Sequence, residues 1–95
     1  MKNLDTIISQ IEEIVERLSM PLSPEDINCG WRDKSKEAMI RFFRTMLSDF
    51  QNKPPRIKIE YMTIARGLDA WGIDGGILEE KAIKISRAVN EFKNG

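Results

Sequence analysis

From Leu4 onward, apolar residues recur at alternating steps of three and four: Leu4, Ile7, Ile8, Ile11, Ile14, Val15 and Leu18. That spacing returns to one side of a 3.6-residue turn and predicts an amphipathic helix over about 3–19. Asp5, Glu12, Glu13, Glu16 and Arg17 fill the opposite face, Asn3 can cap the start, and Met20-Pro21 ends the pattern. Ser23-Pro24-Glu25-Asp26 then supplies a capping oxygen, a preset φ and two acids for the positive end of a helix. Asn28 and Gly30 stop that helix early, so a short helical turn at about 24–28 is expected inside a connector closing at Trp31.

Asp33 or Ser35 opens a second long pattern, about 34–51. Its stripe is Met39, Phe42, Phe43, Met46, Leu47 and Phe50, widened by Ala38 and Ile40. Lys36, Arg41, Arg44 and Asp49 are expected to point away from it, and Asn52-Lys53-Pro54-Pro55 is a firm stop. The next stretch supports two periods. Arg56-Ile57-Lys58-Ile59-Glu60-Tyr61 alternates like a strand, whereas Ile57, Tyr61, Ile64, Leu68 and Trp71 make one helical stripe. The helical period accounts for more of the chain, and a lone strand has no partner elsewhere, so a helix over about 57–71 is the expectation, with Gly72 as its C-cap. Asp74-Gly75-Gly76 reads as a turn. A last helix over about 77–93 places Leu78, Ala82, Ile85, Val89 and Phe92 inward, with Glu79 and Glu80 near its start and Lys93 near its end. Asn94-Gly95 terminates it.

These elements predict an all-α fold: a compact bundle of four main helices with the short turn at 24–28, as one domain over 1–95. The connectors 52–56 and 72–76 are short enough to make the helices they join antiparallel neighbours.

Composition sharpens this in three ways. With 95 residues and 41% hydrophobic content, the chain can build a core without disulfides or a metal. Its single cysteine, Cys29, allows no internal disulfide. With no apolar signal core and no long apolar run, the expectation is a cytoplasmic protein with no membrane association. Fifteen basic and fifteen acidic residues cancel overall, but unevenly. Residues 1–30 carry two basic and six acidic side chains (net −4), and residues 31–66 carry nine basic and four acidic (net +5). The simpler expectation is that the two regions neutralise each other in the fold; the other is a basic face shown to a partner.

Chemistry is sparse. The chain has no histidine, which removes the commonest general base, the usual activator of Ser or Cys, and the commonest zinc ligand. Cys29 therefore reads as a small buried apolar residue. Glu12, Glu13 and Glu16 lie opposite the apolar stripe, where acids are solvated rather than gathered around a metal pair. Asp69 to Glu80 has acids at the first and last positions of a calcium loop, but Trp71 and Ile73 stand where ligands are needed, and Asp74 where glycine is. Gly72, Gly75 and Gly76 lack the spacing of a phosphate-binding loop. No catalytic residue, metal ligand or cofactor site is expected, and no enzymatic activity.

The remaining reading is a binding protein. Its leading form is a small helical protein–protein interaction module: an adaptor, an inhibitor or immunity-type protein, or a dimeric regulatory subunit. Ile59 and Met62, left off the core stripe, Trp31 and Trp71, aromatics at element ends, and the outward arginines Arg41 and Arg44 are nominated as its contact surface. The alternative is nucleic-acid binding through the basic segment of Arg32, Lys34, Lys36, Arg41, Arg44, Lys53, Arg56, Lys58 and Arg66. Against it, a recognition helix beginning Ile77-Leu78-Glu79-Glu80 would present apolar and acidic groups to phosphate.

Overall fold

A computed structural model describes residues 3–94; Met1, Lys2 and Gly95 lie outside the described residues. The fold is an all-α bundle: α1 (Leu4–Leu18), α2 (Pro24–Asn28), α3 (Asp33–Gln51), a 3-10 turn (Ile59–Met62), α4 (Ile64–Ala70) and α5 (Gly76–Asn94). Three of the long helices, α1, α3 and α5, begin and end within a residue or so of the positions expected from periodicity, because amphipathic stripes and end signals agree there.

The starts of α1, α2 and α3 each have a named cause. The Asn3 side chain accepts the Thr6 amide at 2.8 Å and opens α1. At α2, the Ser23 hydroxyl accepts the Asp26 amide at 3.1 Å, and the Asp26 carboxylate accepts the Ser23 amide at 3.0 Å, a reciprocal capping box. Asp26 is buried, and its charge is met by the Arg17 guanidinium at 3.0 Å, which ties α2 back to the end of α1. The Ser35 hydroxyl accepts the Arg32 amide at 3.0 Å at the head of α3.

Two helix ends share one device. α2 closes with the Gly30 amide donating to the Ile27 carbonyl and the Trp31 amide to that of Asp26, both at 3.1 Å. In α4, the Gly72 amide donates to Asp69 and the Ile73 amide to Leu68, both at 3.0 Å. These are Schellman closures, with glycine at positive φ (+106° at Gly30, +74° at Gly72) and the following apolar residue folded into the core. The two closures abut. The Asp74 amide donates to the Cys29 carbonyl at 2.9 Å. A Cβ on Gly30 would lie 2.4 Å from the Gly72 carbonyl oxygen, so only glycine permits this approach. Cys29 is half-buried beside Gly76 rather than fully enclosed.

Packing follows the stripes. α1 lies against both α3 and α5, and α5 also receives α2, the 3-10 turn and α4. The core runs through Ile7, Ile11, Ile14 and Leu18 of α1, Met39, Phe43, Met46 and Phe50 of α3, and Leu78, Ala82, Ile85 and Val89 of α5. Burying side chains of this size stabilises by about 1.5–3 kcal/mol each, before chain entropy is set against it.

The expected helix over 57–71 is corrected: Ile57 and Lys58 precede a 3-10 turn, Thr63 interrupts, and α4 starts only at Ile64. The strand period does not prevail either, as no strand is present among the described residues. At the break, Thr63 has φ −127° and ψ 35°, outside helical geometry. The Arg66 amide bonds the Thr63 carbonyl at 3.1 Å instead of reaching back to Met62. The released Met62 carbonyl is taken by the Asn90 side chain from α5 at 3.3 Å. A tertiary donor inserted into the helical ladder thus replaces a local bond.

Candidate interaction surfaces

Position 49 shows how this break shapes the surface. The periodicity of α3 turned Asp49 outward, yet it is buried and accepts the Tyr61 hydroxyl. Lys58 approaches the same carboxylate oxygen at 3.3 Å, and the Arg56 amide donates to the Asp49 carbonyl at 2.9 Å. The Tyr61 hydroxyl holds the Asp49 carboxyl below its ordinary range despite the opposing effect of burial, with Lys58 adding to the lowering. Burial, then the adjacent carboxylate, pushes the Tyr61 phenol well above its ordinary value. The phenol therefore stays a donor and the carboxylate an acceptor across the neutral range. Tyr61 meets Phe42 and Phe50 edge to face, with centroids 5.6 and 5.9 Å apart, and Phe42 meets Phe43 at 5.2 Å.

Phe42 leads from this cluster to the surface. With Ala38 and Met39 it forms one wall of a groove of about 340 Å³, and Glu60, Thr63, Ile64, Arg66, Gly67 and Trp71 form the other. Gly67 contributes no side chain, and a Cβ built there meets nothing within 4 Å, which leaves the groove open at that point. Trp71, at the end of α4, remains 42% exposed. Aromatic residues in this half-exposed state are the anchors and receptors of protein interfaces.

The structure distributes the six nominated surface residues over separate places. Trp71 lines the groove. Ile59 stands on the 3-10 turn beside Glu60 and is 70% exposed, the most open large apolar side chain among the described residues. Met62 is half-buried, with its carbonyl held by Asn90. Arg41 and Arg44 are exposed on a different side of α3, around a shallow depression shared with Ser19, Lys36, Glu37 and Ile40. Trp31 is a correction: it is 1% exposed and belongs to the core, because the α2 Schellman closure turns the residue after Gly30 inward. Its indole N–H has no protein partner among the described residues.

Sequence reasoning missed Ala38, Met39, Phe42, Ile64 and Gly67 as surface-forming residues. All but Gly67 lie on apolar stripes and read as core. A glycine inside a helical pattern was the one visible signal that a side chain was dispensable there.

The charge asymmetry is not resolved by direct ion pairs among the described residues. Among the described residues the ion pairs are Arg17–Asp26, Lys58–Asp49 and Lys81–Glu13. The first lies within the acidic segment, the second within the basic one, and the third joins α1 to α5. None joins the acidic 1–30 to the basic 31–66. A depression of about 530 Å³ between α1 and α5 is lined by mixed charges and already bridged by Lys81–Glu13, an ion pair that lowers the Glu13 pKa. Among the described residues, no cluster of three or more potential ligands could hold a metal ion, and no helix is long and apolar enough to cross a membrane.

No protein-family model matches the chain, and neither does any curated protein or solved structure.

Proposed function

We propose that this protein is a non-enzymatic protein–protein interaction module, an adaptor, inhibitor or regulatory subunit, whose α3–α4 groove receives an apolar anchor of a partner. The observation that carries this reading is Trp71, 42% exposed at an apolar groove whose neighbouring segment is pinned by Tyr61–Asp49 on one side and Asn90–Met62 on the other. A groove held in place before binding loses little conformational entropy when filled. Glu60 and Arg66 among the groove residues favour an amphipathic helix with charged residues flanking its apolar anchor.

The test is a quantitative capture from native lysate with nuclease added, comparing wild type with Trp71→Ala. Trp71 is half-exposed, so its truncation is expected to leave the unfolding midpoint near that of wild type. A stoichiometric protein partner held by wild type and lost by a folded Trp71→Ala supports the groove. Equal retention by both proteins refutes it.

The alternative, nucleic-acid binding, has in its favour the cations of α3, which form no ion pair among the described residues. The acidic residues of α1 beside them weaken it, because phosphate approaching one stripe is repelled by the other.

A further inference from the structure

The outer surface of the α1–α3 layer carries two opposite stripes that find no partner in each other. On α1, Asp5, Glu12 and Glu16 are exposed along one side of the helix. On α3, Lys34, Arg41 and Arg44 are exposed along the side turned away from the core. Between them run the half-buried apolar residues Ile8 and Val15 of α1 and Ile40 and Leu47 of α3. Ser19 continues the Glu12–Glu16 line by one turn and borders the depression holding Lys36, Ile40, Arg41 and Arg44. The end of α1 thus lies beside the first half of α3. Since the two helices pack closely, they run antiparallel with their charged stripes side by side.

Part of each stripe goes against local preference. Glu12 and Glu16 are like charges one turn apart, and Glu16 falls in the last turn of α1, at the negative end of the helix dipole. Lys34 and Lys36 crowd the positive end of α3, with Asp33 as the acid in its first turn. Glu37 is the other acid on this face of α3, one turn before Arg41. Charges placed against the dipole and without an ion-pair partner among the described residues are available to an external partner.

We infer that this face binds a second copy of the chain. A face with acids on one side of an apolar seam and bases on the other is complementary to itself under a two-fold axis along that seam. The rotation lays α1 of each copy over α3 of the other, bringing Glu12 and Glu16 onto Arg41 and Arg44 twice, with Ile8, Val15, Ile40 and Leu47 of both copies at the centre. A foreign protein would have to match both stripes at once, and nucleic acid would meet repulsion from one of them. The two-fold lays α1 over α3, so the 15 residues of α1, about 22 Å, set the length of the overlap, and two neighbouring helices are about 20 Å across. That gives roughly 450 Å² per copy and about 900 Å² in total, the size of a weak, transient interface. The dimer is therefore weak and salt-sensitive, with its charged pairs at the rim setting the register. This surface lies away from the Trp71 groove, so the two readings stand or fall separately.

The experiment is sedimentation equilibrium on the full chain at low salt, with two charge-reversed variants. Glu12→Lys with Glu16→Lys makes both stripes basic, and Arg41→Glu with Arg44→Glu makes both acidic. All four positions are exposed, so both variants keep the helical circular dichroism of wild type. Wild type is expected to dimerise, with association weakened at least about tenfold in 0.5 M salt as charges are screened. Each variant alone is expected to be monomeric, and an equimolar mixture to dimerise again, because both contacts are then between opposite charges. Wild type that stays monomeric at about 0.2 mM, well above a micromolar dissociation constant, overturns the inference. So does a dimer that both variants retain, or variants that fail to associate when mixed. Salt-sensitive nucleic-acid binding by a monomeric wild type, lost with the arginine reversal, would replace it with the other use of the basic stripe.

Discussion

Replacing Gly30 by alanine tests the central contact of the fold, the abutment of the two helix closures. Three effects add. An L-residue held at the φ of +106° found here costs about 1–2 kcal/mol in backbone strain. The new Cβ would stand 2.4 Å from the Gly72 carbonyl oxygen, which is backbone and cannot swing aside, so the α2 end and the α4–α5 connector must separate. Such overpacking costs about 1–3 kcal/mol, and separation weakens the 2.9 Å bond from Asp74 to Cys29, worth about 1 kcal/mol. Against these, alanine restricts the unfolded chain and returns about 0.4–1 kcal/mol. The net is a loss of about 3 kcal/mol, or about 12–24 °C in melting temperature for a domain of this size. Two other glycines isolate the terms. At Gly72, φ is +74° but nothing lies within 4 Å of a built Cβ, so alanine there meets strain without collision and costs about 1 kcal/mol or less. At Gly67, inside α4 and equally open, alanine meets neither and gains about 0.5–1 kcal/mol from helix propensity. Urea unfolding of the three variants measures all of this. Equal losses for Gly30→Ala and Gly72→Ala, within about 0.5 kcal/mol, would refute the close approach, since strain alone would then explain both.

Tyr61→Phe should cost about 1.5–3 kcal/mol at neutral pH, the range for a hydrogen bond to a charged group. It should also flatten the pH dependence of stability on both sides. The lowered Asp49 contributes stability above its ordinary value of 3.8 that is lost as pH falls through the folded value, and the raised Tyr61 contributes stability below 10.0 that is lost as pH rises beyond it. Unfolding free energies of wild type and variant between acid and alkaline pH check both limbs; unchanged limbs in the variant would separate Tyr61 from them. Trp31→Ala should destabilise by about 3–5 kcal/mol because the side chain is buried, whereas Trp71→Ala should change stability far less. Thermal melts of the two distinguish a core tryptophan from a surface one. Asp26→Ala keeps the Ser23 hydroxyl on the residue 26 amide but removes the carboxylate that accepts the Ser23 amide and pairs with Arg17, an expected loss of about 2–4 kcal/mol by denaturant titration.

The sequence alone determined the all-α class, the extent of α1, α3 and α5, and the short helix after Ser23. Each of these follows from local physics: a 3.6-residue apolar period, a capping side chain, and proline or glycine at a boundary. Only the tertiary structure decided the rest. Asn90 lies 28 residues from Met62, yet its capture of that carbonyl splits the 57–71 pattern into a 3-10 turn and α4. Asp49 reads as a solvent-facing acid until Tyr61, 12 residues on, is folded against it. Trp31 reads as a free aromatic at an element end until the Gly30 closure turns it inward. The same distinction divides the surface. Exposed Ile59 could be named because the stripe leaves it over, and Trp71 because it stands at an element end beside Gly72. The groove beside Trp71 exists only where α3 meets α4, and the opposed stripes of α1 and α3 only once antiparallel packing sets them side by side. Periodicity specifies which face of a helix is apolar; which neighbour covers it, and what remains open, is set by contacts between residues far apart in the chain.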